Sequence, residues 1–385
     1  MDITRTFTFV HTTKVVCGLN CSAKINEELA LMGCRKPFIV TDKGIIGAGL
    51  LESITKSLQA ANLAYEVFDE VEPNPIDTTA EKGATIATEG GFDSVIAVGG
   101  GSSIDTGKVI AMLVNNPGRV RDYEGVDVFK NPPLPLIAIP TTVGTGSEVT
   151  RGAVITEPVT KAKMIIVSVL LFPKVAMLDP TLVMKLPAHI TASTGMDSLT
   201  QAIEAYIATG SNPISDALNI YAVKLIAENL RPAVAGNNLE ALLNMQVATC
   251  MEGMAFHNAG LGLVHAMANT VGGYFNTPHG ITNAILLPYV LEYNLIARPN
   301  KYAELAQAMG ERVENLSVRE AAERFIEAVK TLSSDVGIPR QLRDIGVTRE
   351  ALPALAETAL TALDIYTNPR SYSRQAILAI YEKAF

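Results

Sequence analysis

The chain has 385 residues, 48% hydrophobic and only 18% charged, which is apolar material for two packed cores and too little charge for a disordered chain. A formal net charge of −8 with no basic run excludes a nucleic-acid partner, and no apolar stretch is long enough to span a membrane. Four cysteines (Cys17, Cys21, Cys34, Cys250) are too sparse for a disulfide framework, and the first residues lack the apolar core of a signal peptide; a soluble cytoplasmic protein with reduced thiols is expected.

In chain order, residues 6–16 alternate polar and apolar side chains. Short β-branched runs follow at 37–41, 64–69, 94–98 and 135–139, separated by helical patterns such as 77–89 and 104–114. Strands spaced by helices of that length predict βαβ units and a parallel sheet. Further extended runs fall at 153–156, 164–168 and 175–178. Beyond residue 186 the texture changes to Ala, Leu and Met at spacings of three and four, which predicts helices over 192–208, 214–228, 239–256, 264–272, 281–297, 302–309, 318–335 and 373–383. The expected organisation is an α/β dinucleotide-binding domain over 1–186 and an all-α domain over 187–385.

Two loops carry chemistry. IAVGGGSSIDTGK at 96–108 runs a buried strand through three glycines into a helix, whose free N–H groups and positive dipole end suit a phosphate. It is not the dinucleotide fingerprint, because Ile104 stands where the third glycine belongs; it is not a P-loop, because Val109 replaces the Ser/Thr. IPTTVGTGSEVT at 139–150 is a second glycine- and hydroxyl-rich loop behind a strand. Two such loops at the carboxyl ends of parallel strands reinforce each other as a ligand site. Asp42, at the end of the first strong strand, is placed to hold a ribose diol or to cap the next helix.

GGGSSIDTGK, PTTVGTGSE, TGMDSLTQAIEAY, GLGLVHAMANTVGGYFNTPHG, the Asn74-Pro75 pair and the terminal TNPR together resemble the iron-containing (group III) alcohol dehydrogenases, most of all the lactaldehyde reductase/1,3-propanediol dehydrogenase branch. The resemblance implies an α/β dinucleotide domain followed by a helical domain, as in the dehydroquinate synthase-like two-domain fold. It places Gly99, Gly100, Gly101 and Ser102 on the pyrophosphate, Asp42 and Asn74 at the adenosine end, and Thr141, Thr142, Thr145, Ser147 and Lys163 along the cofactor. An Asp at 42 favours NAD over NADP by repelling a 2′-phosphate. It further implies a homodimer or larger oligomer, with the segment 6–16 as a strand pairing across the dimer.

The family holds one divalent metal, Fe²⁺ or Zn²⁺, through an Asp, a His four residues later and two more His. Asp197, His265 and His279 match, but Gln201 stands in place of the first His, and a carboxamide oxygen is the weaker, harder ligand. Asn269 likewise replaces a family His beside the nicotinamide, and it cannot titrate. His257, with Phe256, is expected to line the substrate pocket together with Asn269. The implied activity is NAD-dependent hydride transfer between a small alcohol or diol and its aldehyde, with Asp197, His265 and His279 polarising the carbonyl through the metal. The alternatives are a zinc polyol dehydrogenase of the glycerol type, a sugar-phosphate cyclase, and a cofactor-binding protein with a degraded metal site.

Overall fold

The computed structural model describes residues 6–159, 162–236 and 238–385. The chain divides into two compact units: Val10–Leu186, and Pro187–Phe385 grouped with the N-terminal residues 6–9.

The first unit holds strands β1 (Lys14–Cys17), β2 (Pro37–Val40), β3 (Glu66–Phe68), β4 (Ser94–Gly99), β5 (Gly125–Val126), β6 (Leu136–Pro140), β7 (Gly152–Thr156), β8 (Lys163–Val167) and β9 (Val175–Leu178). Six of them form one all-parallel sheet in the order β1-β9-β6-β4-β2-β3, with Ile39 opposite Ile96 and Ala97 opposite Ala138. Counted from β2, this is the doubly wound order 2-1-3-4-5 with β1 added at the far edge, and its switch point lies between β2 and β4. β5, β8 and β7 make a separate small sheet.

The parallel strands read as continuous apolar runs because both faces are covered. Ile39, Ile96, Val98, Ile137 and Ile139 point to one face, where Ile25 and Leu29 of α1 (Ile25–Met32) and Ile54 and Leu58 of α3 (Glu52–Ala60) close over them. Phe38, Val40, Val95, Ala97 and Ala138 point to the other, beneath α4 (Asp77–Glu89) and α5 (Gly101–Asn115). Each fully buried Ile, Leu or Phe contributes roughly 1.5–3 kcal/mol. α5 approaches β4 closely because Gly107 has no Cβ; one built there would lie 2.7 Å from the Ala97 Cβ. A short helix, α2 (Lys43–Gly47), follows β2 directly.

The second unit is helical: α6 (Ala188–Ile207), α7 (Pro213–Ala235), α8 (Leu239–Ala259), α9 (Leu263–Phe275), α10 (His279–Asn294), α11 (Pro299–Ala308), α12 (Val318–Asp335), α13 (Leu352–Ala359) and α14 (Arg374–Ala384). Among its described residues no strand occurs. α6 is the central helix, packed on α7, α8 and α10, and is buried almost throughout. Caps fix the starts of its neighbours: Asn212 accepts from the Ser215 N–H ahead of α7, and Ser317 with Glu320 forms a capping box on α12.

Residues 6–13 join no strand in this chain; only Lys14–Cys17 does, alongside β9. Alternation of apolar and polar residues gives a strand only where a partner edge is available, and β9 offers Val175–Leu178 alone. No helix among the described residues is long and apolar enough to cross a membrane, and all four cysteines are free.

Candidate active site

In the α/β unit, β2, β4 and β6 deliver three loops at neighbouring carboxyl ends. β4 ends at Gly99 with φ +150°, a conformation that favours glycine, and α5 starts at Gly101 with no side chain capping its first N–H groups. A Cβ on Gly100 would lie 3.3 Å from Thr142 Cγ2, and one on Gly101 3.0 Å from Thr145 Cγ2, so the second loop lies against the first. The Thr141 N–H donates to the Gly99 carbonyl (3.0 Å), while the Thr142 hydroxyl is buried without a hydrogen-bond partner. Bare helix N–H groups, a cradle with no Cβ and an orphaned hydroxyl together fit a bound diphosphate.

Asp42 caps the helix that follows it. Its Oδ1 accepts from the Ile45 N–H (3.0 Å) and caps α2; its Oδ2 faces Ser103 Oγ at 3.4 Å, beside the glycine loop. Ser102 sits in the first turn of α5. Asn74, at φ +57°, accepts from Lys163 Nζ (3.0 Å), which also donates to Thr156 Oγ1 (3.1 Å). Burial lowers the Lys163 pKa, with Asp105 opposing. Ser147 is engaged within the unit: its hydroxyl donates to Asp105 Oδ1 and accepts from Lys108 Nζ. Lys108 is wholly buried and also donates to Thr150 Oγ1 (3.1 Å) and the Gly152 carbonyl (2.7 Å), pinning the loop 145–152 to α5. Burial pushes the Lys108 ammonium down to about 8, opposed by Asp105 and then Glu148, and the Glu148 carboxyl up to about 7, opposed by its own backbone hydrogen bond and then Lys108.

In the helical unit, α6, α9 and α10 converge. Asp197 and His265 are buried and His279, the first residue of α10, is exposed; their ligand atoms all lie within 4.8 Å of one another. Asp197 Oδ1 is 3.8 Å from His265 Nε2 and 3.7 Å from His279 Nε2. Glu204, on the same face of α6 as Asp197, accepts from His265 Nδ1 (2.6 Å) and from the backbone N–H groups of Val264 (2.7 Å) and His265 (3.3 Å) at the start of α9. With Nδ1 donating to Glu204, the His265 Nε2 lone pair is free to point at the cluster. Burial lowers the His265 pKa, but Glu204 and then Asp197 and Asp364 outweigh it and leave the ring above its ordinary value. Such a field favours positive charge at this point, and the three converging acceptors fit a divalent cation.

Gln201 donates from Nε2 to Asp197 Oδ2 at 3.5 Å. Asn269 donates to Asp364 Oδ2 (3.0 Å). Phe256 and His257 lie in the last turn of α8; His257 engages the Gly253 carbonyl with Nδ1 (2.8 Å) and the Asn258 amide with Nε2 (3.0 Å). Sequence reasoning named neither Glu204 nor Asn283, although both stand on helical spacing from named residues, at seven from Asp197 and four from His279.

A doubly wound sheet with a glycine cradle at its switch point, in one chain with helices that gather a carboxylate and two imidazoles, defines a dehydrogenase of the two-domain type. The chain belongs to the iron-containing alcohol dehydrogenases: residues 12–180 match that family's model and residues 191–385 its C-terminal model. It is 45% identical over 371 residues to 1,3-propanediol dehydrogenase of Klebsiella pneumoniae, with 96% of each chain covered. To the NAD-dependent methanol dehydrogenase of Bacillus methanolicus it is 40% identical over 370 residues, 96% of this chain and 97% of that one. The crystal structure of a 1,3-propanediol oxidoreductase superposes with a TM-score of 0.97 at 44% identity, covering 99% of this chain and 100% of the other.

Proposed function

We propose that this chain is a cytoplasmic, NAD-dependent dehydrogenase that interconverts a small primary alcohol or diol and its aldehyde, with Asp197, His265 and His279 holding a divalent metal. The convergence of those three acceptors, with His265 oriented by Glu204, carries the reading. When bound, the metal polarises the carbonyl oxygen and the nicotinamide carries the hydride. Gly99, Gly100, Gly101 and the first turn of α5 hold the diphosphate, with the Thr142 hydroxyl free to donate to it. Asp42 Oδ2, 3.4 Å from Ser103 Oγ, stands where a ribose diol is held and a 2′-phosphate repelled. Lys163, fixed by Asn74 and Thr156, adds a cation in the same unit. The exposed His279 leaves one side of the cluster open to a substrate oxygen. Asn269, its Nδ2 committed to Asp364, keeps Oδ1 to accept from a substrate hydroxyl and moves no proton itself.

Gln201 favours the second reading, a cofactor binder with a failed metal site, since it presents Nε2 to Asp197 rather than an imidazole. One experiment separates the two: metal content and reduction of short aldehydes with NADH and NADPH, for wild type and His279→Ala. The proposal expects metal in the wild type, turnover with NADH well above that with NADPH, and loss of both metal and turnover in His279→Ala. Full activity in metal-free wild type, unchanged in the variant, would overturn it.

A further inference from the structure

α10 carries Asn283 one turn beyond His279 on the same face, fully buried. Its Nδ2 lies 2.6 Å from Asp197 Oδ1, 3.0 Å from His279 Nε2 and 3.3 Å from His265 Nε2. Two amide hydrogens face three acceptors, while Oδ1 of the same group is buried with no hydrogen-bond partner. The carboxamide nitrogen is thus the positive pole on which the acceptors of the cluster close. A cation seated among them satisfies all three at once. It also removes the reason these acceptors give the nitrogen to face inward, because an N–H is repelled by the charge that an amide oxygen seeks.

We propose that Asn283 is itself a ligand of this site: as a divalent cation enters, the carboxamide turns over and withdraws, and Oδ1 takes up the coordination that position 201 no longer supplies through an imidazole. The inference rests on reading Asp197, His265 and His279 as a cation site. A set of one carboxylate, two imidazoles and a carboxamide oxygen is harder than one with three imidazoles, which moves relative preference from Zn²⁺ toward Mn²⁺.

The test is isothermal titration with Zn²⁺ alone and Mn²⁺ alone, without cofactor, on wild type, Asn283→Ala and Asn283→Asp, each checked by thermal unfolding. Asn283→Ala is expected to bind both ions about tenfold or more weakly, as lost metal-site groups do. Asn283→Asp keeps an oxygen, adds a charge and is expected to bind at least as tightly as wild type. If Asn283→Ala binds as tightly as wild type or more so, Asn283 is a plug rather than a ligand; the inference falls and the cation site stands. If wild type binds neither ion, the cation-site reading falls and takes the inference with it. Should the alanine variant fail to fold, weakened binding in Asn283→Asp is enough to overturn the proposal and tight binding supports it.

Discussion

Glu204 accepts three hydrogen bonds from one short piece of chain: two backbone N–H groups at the start of α9 and the His265 ring. Its carboxylate also meets the positive end of the helix dipole, so one side chain both caps α9 and sets the tautomer of the His265 ring. Gly262 makes room for it, since a Cβ there would lie 2.8 Å from Glu204 Oε1. Glu204→Gln would turn an N–H toward donors that need an acceptor. The expected result is metal affinity lower by about 10–100-fold with the fold retained, read as metal content after dialysis beside a far-UV spectrum. An unchanged metal content would mean that His265 is oriented by something else. The sequence showed Asp197, His265 and His279 because a motif surrounds each, but it gave Glu204 and Asn283 no emphasis. Glu204 lies inside the TGMDSLTQAIEAY motif and Asn283 just beyond the TPHG run, but their roles exist only once α6, α9 and α10 are packed. Asp364 had no local signal at all; it meets Asn269 from 95 positions away in the chain.

At the scale of the element, the loop 145–152 is held less by its own turns than by Lys108, which reaches it from the interior of α5. The cluster buries two acids, Asp105 and Glu148, around one ammonium. Glu148 bears most on pH, because its folded pKa is raised from 4.5 to about 7. Between those values the folded chain binds more protons than the unfolded one, so stability contributed by this group falls as pH rises from 4.5 to 7. Glu148→Gln should remove that slope: denaturant unfolding at pH 5 and pH 7 is expected to show the variant gaining on wild type at the higher pH. A constant difference between the two proteins would contradict it. The strands β2, β4 and β6 were legible as apolar runs because a parallel sheet covered on both faces leaves no polar positions in them. α1, α3 and α13 were not, being only eight or nine residues long and offering too few turns for a period to emerge.

At the scale of the whole molecule, the change of texture near residue 186 was visible because alternating βα units and packed helices draw on different residue spacings. The assembly is a proposal. β1 is an edge strand of four residues, bonded only to β9 among the described strands, and residues 6–13 ahead of it join no strand. An open strand edge, preceded in the chain by the alternating run with Phe7 and Phe9, is physically sensible when a second copy covers it. Light scattering at micromolar concentration is expected to give the mass of a dimer or a larger oligomer; a monomer's mass would refute it.

The burial of the three candidate ligands is uneven: Asp197 and His265 lie inside, His279 outside. If the cluster holds an ion as proposed, that asymmetry is expected to govern exchange kinetics more than affinity. An ion bound there could leave by the His279 side while α6, α9 and α10 stay packed, so a small chelator would empty the site from folded protein and added salt would refill it without refolding. The occupancy of a purified sample would then record the last solution it was in rather than the cell it came from.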